Sequence, residues 1–257
     1  MNNLTFTVKE NTKISLSVFE LTLKTKKLPD FVSGMFANVK IPDSNELLLG
    51  RPFCLHSADY SKNTVKISFD LKGKGTTKLA SLKSGDKLEI LMPLGNGFPA
   101  VGRDRKILLV GGGTGVLPLL SVAQTYKNCI IHSFIGFKNK SETIKIEEFT
   151  ALSHLTVVTT DDGSCGKHGY ITDAVHEQFY EIKPDIIFCC GPPSMLLGLK
   201  RYANEVPIFV TLESRMGCGI GACLVCSCPT KDKNGEINFK RSCADGPVFE
   251  YNEVFYD

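Results

Sequence analysis

Near the C-terminus the string Cys218-Gly-Ile-Gly-Ala-Cys223-Leu-Val-Cys226, with Cys243 further on, sets four thiols at C-x4-C-x2-C spacing plus one distal cysteine. That is the plant-type ligand pattern of a 2Fe-2S cluster, a centre that exchanges one electron at a time. The glycines between the first two cysteines let backbone amides crowd around sulfur. Four thiolates also suit a structural zinc, so the ligand set by itself leaves two metals open. Cys228 is left out, because using it in place of Cys226 changes the spacing. Cys129 and Cys189 stand in apolar runs and read as small core residues.

Phosphate chemistry is suggested by Gly111-Gly-Gly-Thr-Gly115-Val-Leu-Pro118, which follows an apolar run ending at Val110. A glycine-rich strand-to-helix turn lets the backbone approach a pyrophosphate, whose charge meets the amides of the helix N-terminus. The string departs from the G-x-G-x-x-G fingerprint, with Val116 at its third glycine and Pro118 in the first helical turn. A second strand-end turn, Cys190-Gly-Pro-Pro-Ser-Met195, would face the same crevice, or simply start a helix on its prolines. Arg51-Pro-Phe-Cys54 and Gly73-Lys-Gly-Thr76 offer a guanidinium fork, backbone amides and a hydroxyl to another phosphate, with Phe53 free to be core or the wall of a ring site.

The elements that must position these residues change character along the chain. Up to about residue 100, short alternating segments broken by Pro and Gly (Ile14–Val18, Phe36–Ile41, Val65–Phe69, Leu88–Leu91) predict antiparallel strands closing into a small β-barrel. From about residue 103, apolar runs at Ile107–Val110, Cys129–Ile135, Leu155–Val158, Asp185–Cys189 and Ile208–Val210 alternate with helical stretches such as Ser194–Asn204. This is the pattern of a parallel sheet wrapped by crossovers. The expected division is 1–100, 101–212 and a cluster module over 213–257.

A length of 257 residues suits two domains and an appendage, and 42% hydrophobic with 22% charged residues is ordinary for a globular chain. A net charge of +3 with scattered lysines, of which Lys24, Lys26 and Lys27 are the densest, gives no footprint for nucleic acid. No stretch approaches the ~20 apolar residues of a membrane span. The chain opens directly into Thr5-Phe-Thr-Val8 with no leader, so ten cysteines are expected as ligands or buried thiols in the cytoplasm.

In order, Arg51-Pro-Phe-Cys, Gly73-Lys-Gly-Thr, the Gly111–Pro118 turn, Cys190-Gly-Pro and the cysteine run resemble the ferredoxin-reductase flavoprotein superfamily. Three strings, Thr160–Asp173, Glu213-Ser-Arg-Met-Gly-Cys and Cys243-Ala-Asp-Gly-Pro-Val-Phe249, resemble within it the electron-transfer subunits of class 1B dihydroorotate dehydrogenase. The resemblance implies a barrel holding FAD, an α/β domain taking NAD as substrate, and a 2Fe-2S tail. By position, Arg51, Pro52, Phe53 and Cys54 would line the flavin, Ser68, Phe69 and Asp70 the strand beside it, and Gly75 with Thr76 its pyrophosphate. Thr114, Gly115, Gly191 and Pro192 would form the nicotinamide crevice, and Cys218, Cys223, Cys226 and Cys243 would ligate the cluster.

It further implies an FMN-containing catalytic partner that oxidises dihydroorotate, in a heterotetramer of two of each subunit, with electrons delivered to NAD+ in pyrimidine biosynthesis. Two positions depart from the family. Cys54 replaces a Ser or Thr that hydrogen-bonds the flavin, and Asp70 stands where arginine is common. The ribose-binding acid expected about twenty residues past the glycines is not evident, with Lys138 and Lys140 there instead. Other readings are a reductase subunit serving a hydrogenase or ferredoxin-linked complex, and a zinc-stapled scaffold without activity.

Overall fold

A computed structural model of the chain describes residues 2–42, 46–232 and 234–254. The first half forms β1 (Asn2–Lys13), β2 (Val18–Lys24), β3 (Phe36–Val39), β4 (Arg51–Cys54), β5 (His56–Asp59), β6 (Thr64–Asp70), α1 (Lys74–Ala80) and β7 (Lys87–Leu94). The strands make one antiparallel sheet in the order β4-β3-β7-β1-β2-β6-β5. Its two edges, β4 and β5, are joined by Leu55 alone, so the sheet curls into a near-closed barrel. Alternation puts Phe6, Leu21, Leu23, Val39, Ile67, Leu88 and Ile90 inside as one core. Each such side chain contributes about 1.5–3 kcal/mol of burial.

One expected strand is corrected. Ile14-Ser-Leu-Ser-Val18 alternates, yet the chain reverses there. The Ile14 and Ser15 amides both donate to Val18 O, at 2.9 and 3.4 Å, closing the turn between β1 and β2.

The second half comprises β8 (Lys106–Gly112), α2 (Val116–Thr125), β9 (Ile130–Phe137), α3 (Ile146–Leu152), β10 (Leu155–Thr160), β11 (Lys167–His168), α4 (Ile171–Ile182), β12 (Ile186–Cys190), α5 (Pro193–Leu197) and β13 (Ile208–Thr211). Ile107 and Leu109 of β8 face a core that includes Val116, Leu120 and Phe149 of α2 and α3. Leu108 and Val110 face the opposite core with Val175, Phe179 and Leu196 of α4 and α5. Burial on both faces explains the unbroken apolar runs. The helix expected over Ser194–Asn204 is broken instead: α5 ends at Leu197, and a Cβ on the next residue, Gly198, would lie 2.7 Å from Thr172 Cγ2 of α4.

The sheet order is β11-β10-β9-β8-β12-β13-β16, where β16 (Val248–Glu250) follows the hairpin of β14 (Ser227–Lys231) and β15 (Ile237–Arg241) and precedes α6 (Tyr251–Val254). All pairs are parallel except β16 on β13. From β8 the chain winds first toward β10 and then back through β12 and β13, so the switch point opens a crevice at the carboxyl ends of β8 and β12. Among the described residues no helix is long and apolar enough to cross a membrane.

Candidate functional site

Where the barrel meets the sheet, a cavity of about 250 Å³ is walled by Phe36, Pro52, Phe53, Phe69 and Leu117, with Cys54, Ser68, Asp70, Thr76 and Thr114 also lining it. The Phe53 and Phe69 rings lie 5.4 Å apart at 39°. A slot with aromatic walls and a few polar groups suits a flat conjugated ring. Thr76 Oγ1 accepts from the Lys72 and Gly73 amides at 2.9 and 3.2 Å and so fixes the start of α1. Arg51 stands beside the cavity. Its guanidinium donates to Leu49 O at 2.5 Å, and it packs closely on Gly75, where a Cβ would come within 3.1 Å of Nε.

Both departures from the family pattern have local consequences. Burial, assisted by the Glu213 carboxylate, pushes the Cys54 thiol up to about 12, which keeps it protonated and able to donate. Cys190 is raised well above its usual value by burial, with Cys54 and Glu213 adding to the effect, so the ends of β4 and β12 and the segment after β13 meet at one point. Asp70 accepts from Ser17 Oγ at 3.0 Å and lies 3.4 Å from Lys72 Nζ, so a cation still stands at this lip of the cavity.

A larger cleft of about 850 Å³ adjoins the cavity and is lined by Gly112 to Gly115, Gly191 and Pro192, with Lys72, Lys138 and Glu142. The two turns make its floor by close approach. A Cβ on Gly115 would lie 2.4 Å from Cys190 O, and one on Gly191 2.5 Å from Met195 Cε and 3.0 Å from Gly112 N. Glu142, which sequence reasoning did not single out, also lines this cleft, and its carboxylate accepts from Asn139 Nδ2 at 3.3 Å. Lys72 and Glu213 were also missed as cleft residues, although Glu213 opens one of the strings that carried the resemblance.

The four cysteines gather as two pairs. Cys218 and Cys223 lie on the outer side, where the Ile220, Ala222 and Cys223 amides donate to Cys218 Sγ at 3.3–3.4 Å and the Cys218 amide donates to Cys223 Sγ at 3.3 Å. These backbone donors, Ile220 foremost, bring the Cys218 thiol down to about 6, as a thiolate ligand requires. Cys226 and Cys243 are buried, and the Gly221 amide donates to Cys243 Sγ at 3.1 Å. Gly219 and Gly221, at φ +74 and +85, give this loop the left-handed turns that aim its amides inward. Among the described residues no three His, Cys, Asp or Glu side chains converge on a single-ion point. Cys228 points away: its Sγ donates to Lys240 O at 3.4 Å.

Cys226 and Cys243 pack in one cluster with Phe36, Leu94 and Met216. Phe36 and Met216 also line the aromatic cavity. The inner cysteine pair and the ring slot therefore share Phe36 and Met216.

Residues 213–255 match the model of the iron-sulfur cluster binding domain of dihydroorotate dehydrogenase B, and residues 109–201 match the oxidoreductase NAD-binding domain. The dihydroorotate dehydrogenase B (NAD(+)) electron transfer subunit of Geobacillus kaustophilus (strain HTA426) is 40% identical over 254 residues, covering 96% of both chains. The chain belongs to this family. The Bacillus caldolyticus protein of the same description is 39% identical, again over 96% of both chains. Among solved structures, an NADH-dependent reduced ferredoxin-NADP oxidoreductase, described for flavin-based electron bifurcation, superposes with a TM-score of 0.83 at 29% identity, covering 97% of this chain and 89% of that one. Family membership resolves the choice of metal that the four thiols left open in favour of iron and sulfur.

Proposed function

We propose that this chain is the subunit that carries electrons from a dihydroorotate-oxidising, FMN-containing partner through a 2Fe-2S cluster and FAD to NAD+, in a heterotetramer of two of each chain serving pyrimidine biosynthesis in the cytoplasm. The observation that carries the reading is the shared wall of Phe36 and Met216, which line the ring slot and pack on the inner cysteines. The names of the relatives supply the donor and acceptor. Ten free thiols accord with a reducing compartment.

In this reading Phe53 and Phe69 clamp the flavin, and Cys54 and Ser68 offer it hydrogen bonds. Gly75 and Thr76 receive its pyrophosphate beside Arg51. Thr114, Gly115, Gly191 and Pro192 seat the nicotinamide nucleotide in the adjoining cleft, and Cys218, Cys223, Cys226 and Cys243 hold the cluster. FAD, when bound, exchanges a hydride with a nicotinamide and single electrons with an iron-sulfur centre. No acid, base or nucleophile is needed from the chain. Its residues stack the rings, exclude water and set hydrogen bonds. The division of labour follows 1–100, 101–212 and 213–257. Partner docking is proposed on the outer side of the cluster, where Cys223 is exposed among Ile220, Leu224 and Val225, themselves 46–62% exposed.

The test is purification of the chain alone and after co-expression with the candidate partner. Alone it should be coloured and reduce artificial acceptors with NADH, yet leave dihydroorotate untouched. Dihydroorotate oxidation by the isolated chain would sink the proposal. A second reading, a reductase subunit of another redox complex, draws on the 29% identical bifurcating relative. It is favoured if a different partner co-purifies from the host.

A further inference from the structure

Behind the ring slot lies a buried polar network that the reading above does not use. His56 is fully buried at the start of β5, with Nε2 2.9 Å from Ser68 Oγ and Nδ1 3.2 Å from Ser57 Oγ. Gln124 Nε2 of α2 donates to Ser57 Oγ at 3.1 Å. Glu20, on β2 directly opposite Ser68 in the sheet register, brings its carboxylate to 3.9 Å from His56 Nε2. That carboxylate is also 2.6 Å from Lys66 Nζ and 2.8 Å from Lys145 Nζ, and Lys145 in turn pairs with Glu148 of α3 at 3.1 Å. Two arms thus reach from the nucleotide half, through Gln124 and through Lys145, to a single imidazole on the barrel.

The direction of the hydrogen bonds follows from charge. A neutral imidazole has one N–H and one lone pair. A lone pair on Nε2 would face the Glu20 carboxylate, so the proton belongs on Nε2 and Nδ1 accepts from the Ser57 hydroxyl. Nε2–H then donates to Ser68 Oγ. The Ser68 hydroxyl proton is left for another acceptor, and Ser68 lines the ring slot.

We infer that His56 is a positioning residue that, held in one tautomer by Glu20 and by the Gln124–Ser57 pair, turns the Ser68 hydroxyl into a hydrogen-bond donor toward the flavin ring. The inference rests on the flavin reading. A donor to the ring stabilises the electron-rich reduced form, so the network raises the reduction potential of the flavin. It also makes that potential depend on how the two domains sit, because Gln124 and Lys145 come from the other half.

The experiment is redox titration and visible spectroscopy of the purified holoprotein. Wild-type protein that carries no flavin refutes the flavin reading itself, before any variant is compared. With flavin bound, Ser68→Ala and His56→Leu should each shift the reduction equilibrium toward the oxidised form by up to about tenfold, about 30 mV for a two-electron couple. The double variant should move no further than either single one, since both cut the same path. His56→Gln, which keeps an amide N–H in the site, should restore most of the wild-type value, a rescue that a purely structural role for the imidazole does not predict. An unchanged potential in His56→Leu, or additive shifts in the double variant, overturns the inference. Should His56→Leu fail to fold, Gln124→Leu at the outer end of the relay carries the same test. A shift toward the oxidised form supports the inference and none overturns it.

Discussion

Replacing Lys145 by Met tests whether the two halves are bound by charge. The Glu20 side chain is 6% exposed and has two counterions, of which Lys145, 11% exposed, crosses from the nucleotide domain. Breaking a buried pair costs about 3–5 kcal/mol when the remaining charge is uncompensated. Lys66 stays at 2.6 Å and is 33% exposed, so part of the charge remains compensated. The expected loss is therefore about 2–3 kcal/mol. The pH dependence has a definite sign. Burial alone would raise the Glu20 pKa, but hydrogen bonds from Lys145 and Lys66 outweigh it and hold it below the ordinary 4.5. A carboxylate lowered in this way contributes its stability in full above 4.5, and the contribution is lost as pH falls through the folded pKa. Without Lys145 the carboxyl titrates higher, and protonation relieves the unpaired charge. The deficit of Lys145→Met should thus be largest near neutral pH and shrink toward pH about 4. Urea unfolding of wild type, Lys145→Met, Glu20→Gln and the double variant at both pH values measures the loss and the coupling. A neutral-pH deficit below about 0.5 kcal/mol, the level of an ordinary surface change, refutes the reasoning. So does a deficit that fails to narrow in acid.

Other outcomes follow from the same geometry. Burial pulls the His56 pKa from 6.5 to about 4, so stability is complete above 6.5 and is lost as pH falls from there toward 4. The loss is about 3 kcal/mol, and His56→Leu should flatten that part of a stability–pH profile. Cys223→Ser should remove most of the visible cluster absorbance from the purified protein, while Cys228→Ser leaves it, because only the first sulfur belongs to the pairs. Gly115→Ala puts a methyl 2.4 Å from Cys190 O, a backbone atom that cannot swing aside. Overpacking of this kind costs about 1–3 kcal/mol of stability, read by urea unfolding, and the shifted turn should also raise the KM for NADH in the artificial-acceptor assay.

What could be read in the sequence was local in the chain. The ligand spacing from Cys218 to Cys226 is set within one loop, and the glycine turns at Gly111 and Gly191 each sit at the end of an apolar run, so residue types in order disclosed them. The alternation of Ile14–Val18 misled because a tight reversal with alternating Ser is indistinguishable by period from a strand. At Gly198, where α5 ends, the close approach of Thr172 of α4 leaves no room for a Cβ, and sequence order does not reveal that neighbour. Phe36 and Met216 read as unremarkable apolar residues. Their position between slot and cluster exists only once β3 and the segment after β13 are brought together. Glu20 and Lys145 likewise carry no signal as a pair. Each is a charged residue in its own element, and only the packing of barrel on sheet makes them partners.

The tail beyond the cysteines is stitched to both halves. The Leu212 amide donates to Pro247 O and β16 pairs with β13, while the Asn96 amide donates to Gly246 O and Asn96 Nδ2 to Ala244 O and Asp245 O. The iron-sulfur segment is therefore an insertion between two adjacent strands of one sheet rather than a detachable appendage. Cutting the chain after residue 212 would strip an edge strand from that sheet. Shortening 214–246 to a tight reversal, by contrast, should keep β16 on β13 while removing the cluster and the Met216 wall of the ring slot. The same anchoring holds the cluster segment against the barrel end at Asn96 and the sheet edge at β13 at once, so its base is fixed by both halves.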